Sequence, residues 1–103
     1  MEVKFISKEL RMLYETGHSR KYSKIPQEIV KKLSRAVAVL QASVVIQDVW
    51  KFPAYKFEHL ASSDIYSMRL DRVWRLEMSI EWTNDDCTIG IIGLSDLTRH
   101  YGN

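Results

Sequence analysis

Apolar positions recur along this chain in two rhythms, and the change between them separates a helical half from a β half. The opening Val3-Lys4-Phe5-Ile6 is β-prone. Ser7 can then cap a helix, and Glu9 falls in its first turn, where the helix dipole favours negative charge. Leu10, Leu13 and Tyr14 give this helix an apolar stripe, and Gly17 marks its end. Residues 18–24 are polar and basic and read as a loop. Pro26 presets φ for a second helix, and Glu28 suits the same first turn. Ile25, Ile29, Leu33, Val37 and Leu40 repeat every four residues, with Val30 and Ala36 widening the stripe, which predicts an amphipathic helix of about four turns.

Val44 to Trp50 predicts another short helical piece, closed by Phe52-Pro53. Beyond Pro53 the period falls to two. Tyr66, Met68 and Leu70 alternate with Ser67 and Arg69. Trp74, Leu76, Met78, Ile80 and Trp82 then alternate with Arg75, Glu77, Ser79 and Glu81 without a break. Thr83-Asn84-Asp85-Asp86 is a turn, and Thr88 to Leu94 is a last strand containing Gly90 and Gly93. No repeat, low-complexity tract or linker interrupts the chain. The expectation is one α+β domain over residues 1–103, with an N-terminal strand and two helices packed on one face of a C-terminal antiparallel sheet.

Composition narrows the class of protein. At 103 residues with 46% hydrophobic and 11% aromatic residues, the chain sits far from the signature of disorder. The net charge of +2 does not by itself mark a nucleic-acid binder. Its distribution says more, because Arg20, Lys21, Lys24, Lys31, Lys32 and Arg35 fall within sixteen residues. That stretch is either a solvated helix face or a contact surface for a polyanion. Cys87 stands alone, which leaves no disulfide framework and no cysteine-based metal site. The first residues lack a hydrophobic signal stretch, and no apolar run approaches a membrane span, so a cytoplasmic location without a membrane partner is expected.

The hairpin from Tyr66 to Trp82 holds the candidate chemistry. With Asp71-Arg72-Val73 as a three-residue loop, Arg69 lies opposite Arg75, and both share a face with Ser67 and Glu77. Tyr66, Met68, Leu76 and Met78 then occupy the buried face. Two arginines opposite one another repel unless an anion lies between them, and a phosphate matches the guanidinium fork. The other reading is a pair of surface arginines bridging to Glu77 and Glu58.

Tyr66-Ser67-Met68-Arg69-Leu70, a short turn, and Trp74-Arg75-Leu76 resemble the central hairpin of the RelE/ParE superfamily of toxins, most of all its HigB-like branch. The likeness extends to Lys24-Ile25-Pro26, to Phe57-Glu58-His59-Leu60 and to the final strand. It implies a metal-independent, ribosome-dependent mRNA endonuclease without a cofactor, held inactive by a cognate antitoxin, in the HigB-like branch a compact helix-turn-helix protein (HigA-like). In such enzymes the ribose 2′-OH attacks the adjacent phosphate, leaving a cyclic phosphate and a 5′-OH.

By this resemblance Arg75 holds the scissile phosphate and Arg69 supports it. Glu58 falls where YoeB-like relatives carry a general base, with His59 beside it. His100 is the candidate acid, and Tyr101 a stacking platform for a base. The His100-Tyr101 pair is displaced by several residues from the family's usual C-terminal cluster, and Ala61 and Ser62 replace a usual lysine and glycine. Lys21, Lys24, Lys31 and Lys32 are the candidate RNA-binding cations, on a surface that the antitoxin is expected to share, with Tyr22 among them. A ParE-like gyrase inhibitor and a non-catalytic RNA- or partner-binding module remain as alternatives.

Overall fold

The computed structural model describes residues 1–99. Strand β1 is Val3–Phe5, helix α1 Lys8–Thr16 and helix α2 Gln27–Ala42. Two 3₁₀ turns follow, Ile46–Lys51 and Pro53–Tyr55, and then β2 (Glu58–His59), β3 (Tyr66–Arg69), β4 (Trp74–Trp82) and β5 (Gly90–Arg99).

The ends of α1 form where the sequence places them, whereas Pro26 precedes α2 in an extended conformation and the helix begins at Gln27. The Ser7 hydroxyl accepts the Leu10 N–H at 3.1 Å, closing the first turn of α1. Gly17 ends that helix at φ +82°, a left-handed conformation that suits a residue without Cβ, and its N–H donates to Leu13 O at 2.8 Å. Helix α2 has no basic residue in its last turn. The Met1 ammonium donates to Leu40 O at 3.1 Å and Gln41 O at 3.3 Å there, satisfying carbonyls that have no partner within the helix.

The sheet runs β1-β5-β4-β3-β2. Strands β3 to β5 are antiparallel as expected, the two-residue β2 adds antiparallel to β3 at the edge, and β1 pairs with β5 in parallel, with Val3 beside Ile92 and Phe5 beside Leu94. The sheet is therefore mixed. A parallel pair requires a long crossover, and the two helices and the hairpin lie between these strands. The last strand also reaches five residues past Leu94, to Arg99. A bulge explains how. Glu77 pairs with Asp96 and Met78 with Leu94, so Ser95 is the extra residue, and its hydroxyl donates to Glu77 O at 3.1 Å. Leu94 and Leu97 are an odd number apart and would face opposite sides of a regular strand. The bulge lets both enter the core, at 0% and 3% exposure.

One core joins the layers: Leu10 and Leu13 from α1, Ile29, Leu33, Val37 and Leu40 from α2, and Met68, Leu76, Met78, Ile92 and Leu94 from the sheet. Both helices thus pack on the Leu76/Met78 face. Alternation turns Arg69, Arg75, Glu77 and Glu81 to the opposite face, on which no described helix packs. Among the described residues, no helix is long and apolar enough to cross a membrane.

Candidate functional site

Leu70 N–H donates to Trp74 O at 2.9 Å, leaving Asp71-Arg72-Val73 as the turn. The Asp71 carboxylate closes it by accepting the Val73 and Trp74 N–H groups, both at 2.7 Å. This fixes the register: Arg69 stands opposite Arg75, Met68 opposite Leu76 and Ser67 opposite Glu77. Glu58 pairs with Ser67 from the neighbouring strand and shares that face, diagonal to Arg69. Two strand spacings and one two-residue step separate Glu58 from Arg75, roughly 12 Å between Cα atoms.

Arg75 is tied into a compact polar cluster. Its Nε donates to Thr98 Oγ1 at 3.2 Å and lies 3.3 Å from Glu77 Oε2. The Thr98 hydroxyl donates in turn to Glu77 Oε2 at 3.0 Å, closing a triangle. Alternation along β4 puts Glu77 on the arginine face in advance. Thr98 carries no such signal, because its place opposite Arg75 depends on the bulge in β5.

His59 does not join this group. It pairs with Tyr66, stacks on that ring at 4.5 Å and 16°, and meets Ser63 O through Nε2 at 2.5 Å. Adjacent strand residues point to opposite faces, so a Glu58-His59 dipeptide in β2 divides its side chains between them. His59 belongs to an aromatic cluster with Phe57, Tyr66 and Trp82 at the sheet edge. His100 and Tyr101 lie outside the described residues.

The cations of the basic stretch are mostly exposed, and two of them are ion-paired. Lys24 and Lys31 are exposed. Lys21 pairs with Asp96 at 3.5 Å, and Lys32 with Glu28 one turn earlier at 3.8 Å. Tyr22, expected among the exposed charges, is instead a core residue at 6% exposure. Its hydroxyl donates to Asp96 Oδ1 at 2.5 Å. Burial and the Asp96 carboxylate push that hydroxyl above the usual tyrosine range. A groove of about 350 Å³ runs beside it, lined by Lys21, Lys24, Trp74, Thr98 and Arg99 among others. The groove thus links the basic loop to the threonine that holds Arg75. The Arg99 guanidinium lies 5.7 Å from the Trp74 ring centroid in the same groove. Among the described residues no cluster of His, Cys, Asp and Glu has the arrangement of a metal site.

By sequence, no curated protein matches the chain. By structure it is similar to a YoeB/ParE toxin from Agrobacterium tumefaciens, at a TM-score of 0.56 and 13% identity over 98% of this chain and 100% of the other. At that identity the likeness establishes a shared fold. Residues 3–89 match the model of the family described as the RelE-like toxin of type II toxin-antitoxin system HigB. The match takes in β1, both helices and the whole arginine hairpin, and the chain belongs to this family of HigB-like toxins.

Proposed function

We propose that the chain is a ribosome-dependent mRNA endoribonuclease that arrests translation, acting without a metal or other cofactor. The observation that carries this reading is the pairing of Arg69 with Arg75 on the face away from α1 and α2, with Glu58 on the same face one strand beyond Arg69. Phosphoryl transfer from the 2′-OH needs positive charge where the phosphorane gains negative charge, and a base for the hydroxyl proton. Arg75 binds the scissile phosphate in this proposal, and Arg69 holds the same phosphate or the adjacent backbone. Glu58 takes the 2′-OH proton as the new P–O bond forms. The P–O5′ bond breaks, and the leaving oxygen receives a proton from an acid, the role the resemblance gives to His100. His59 receives no chemical role, since it faces Tyr66. Lys21, Lys24, Lys31 and Lys32 draw ribosomal RNA or the message through their charge.

Family membership implies a cognate antitoxin. We place its contact on the exposed part of the basic stretch, with a compact helix-turn-helix protein as the expected partner and the cytoplasm as the setting.

The decisive experiment incubates the purified protein with a defined mRNA, with and without ribosomes. Cleavage only in the presence of ribosomes is the expected result. Arg75→Ala should lower the cleavage rate on the order of 10²–10³ and abolish growth arrest, because it removes a charge aimed at the transition state. Toxicity without RNA cleavage, coupled to loss of DNA supercoiling, would establish the gyrase-inhibitor alternative. RNA binding without cleavage would establish the non-catalytic one.

A further inference from the structure

We infer that Glu77 and Thr98 are positioning residues that hold the Arg75 guanidinium in its working orientation. The inference rests on the proposed nuclease reading of the arginine face. Glu77 lies two residues beyond Arg75 on β4, so both side chains emerge on the same face of the sheet. Thr98 is the direct cross-strand partner of Arg75. The three groups meet around one atom: Arg75 Nε is 3.2 Å from Thr98 Oγ1 and 3.3 Å from Glu77 Oε2. The threonine hydroxyl, having accepted from Arg75, donates its own proton to Glu77 Oε2 at 3.0 Å.

An arginine has four rotatable side-chain bonds, and an unheld guanidinium samples many directions. A carboxylate engaged at Nε fixes the plane of the fork, and a phosphate can meet that fork in bidentate fashion only when the plane is set. The partly buried setting strengthens the hold, since the Arg75 and Glu77 side chains are only 22% and 17% exposed. The bulge contributes as well. By inserting Ser95 it shifts the end of β5 by one residue, which leaves Leu97 in the core and puts Thr98 opposite Arg75. Ser95 also bonds the carbonyl of Glu77 at 3.1 Å, anchoring the strand at the residue that bears the carboxylate.

Glu77 is closer to Arg75 than Glu58 is, which raises the question of whether it is itself the base. Its acceptor oxygen is already engaged by both Arg75 Nε and the Thr98 hydroxyl. That arrangement suits an acceptor that orients a cation, and the proton-transfer role stays with the edge carboxylate Glu58.

The test compares Glu77→Ala, Glu77→Gln, Thr98→Val, Thr98→Ser and Arg75→Ala by ribosome-dependent cleavage of a defined mRNA, with circular dichroism and urea unfolding as fold controls. Positioning predicts that Glu77→Ala lowers kcat about 10- to 100-fold while KM for the programmed ribosome stays within a few-fold, the size of loss that misplacement of a catalytic group produces. Glu77→Gln keeps an acceptor oxygen and should recover most of that loss. Thr98→Ser should likewise recover most of what Thr98→Val removes. Full activity in a folded Glu77→Ala protein would overturn the inference. So would a Glu77→Gln protein as inactive as Glu77→Ala, because Glu77 would then take part in the reaction itself. Retained cleavage in Arg75→Ala would overturn the nuclease site as a whole, whereas an inactive Arg75→Ala beside an active Glu77→Ala would overturn the positioning role alone.

Discussion

Glu58 and His59 are neighbours in sequence with opposite surroundings. Glu58 opens onto the arginine face, while His59 is stacked on Tyr66. Glu58→Ala should therefore cost on the order of 10²–10⁴ in cleavage rate, the range of a general base. His59→Ala should leave the rate within a few-fold and lower stability modestly; equal losses from both would contradict the division of faces. Tyr22 carries a different consequence. Its hydroxyl is held protonated by burial and by Asp96, so its pKa rises on folding above the ordinary value of 10.0. A folded pKa above the unfolded one means that the native state binds more protons at alkaline pH. The associated stability is fully present below about pH 10 and declines as pH rises further. Urea midpoints should fall above that pH in the wild-type protein and fall less steeply in Tyr22→Phe. A parallel decline in both would remove Tyr22 as the source.

Among the elements, β4 and β5 bring Arg75, Glu77 and Thr98 together, and their fit tolerates little added volume. A Cβ on Gly90 would meet Ile80 Cγ2 at 2.6 Å and the Glu81 carbonyl oxygen at 2.8 Å. Backbone cannot swing aside, so Gly90→Ala should destabilise the fold by about 1–3 kcal/mol, as overpacking does. A Cβ on Gly93 would meet Ile6 Cδ1 at 2.5 Å and Cγ1 at 2.9 Å, side-chain atoms of a residue that is 58% exposed. Gly93→Ala should cost less than Gly90→Ala, because Ile6 can turn toward solvent. Urea unfolding of the two variants checks the order, and the reverse order would show that Ile6 is held more firmly than its exposure implies.

Over the whole molecule, charge is arranged on two surfaces joined by a groove. The arginine hairpin supplies one, the loop and start of α2 the other, and Lys21, Lys24, Trp74, Thr98 and Arg99 line the passage between them. Polyanion binding releases counterions, so its affinity falls with salt in proportion to the phosphates engaged. Charge reversal at Lys24 and Lys31, both exposed, should weaken ribosome binding and flatten its salt dependence. Reversal at Lys21 or Lys32 should act less, since each already faces a carboxylate. Filter-binding titrations across a salt series measure both effects, and an unchanged slope in all four variants would reduce the stretch to a solvated helix face.

Features that depend on near neighbours were legible in the chain. The four-residue apolar repeat defined α2, Ser7 and Gly17 bounded α1, and the unbroken alternation from Trp74 to Trp82 defined β4. Even the pairing of Arg69 with Arg75 was legible, because a three-residue turn and the burial of Met68 and Leu76 admit one register. What depends on partners far along the chain emerged only in the folded molecule. The parallel place of β1, the burial of Tyr22 against Asp96 and the arrival of Thr98 beside Arg75 all follow from how β5 docks. Local periodicity fixes which face of an element is apolar. Which residues meet across separate elements is set by the packing of the assembled core, and there a single extra residue, Ser95, places Thr98 beside the arginine.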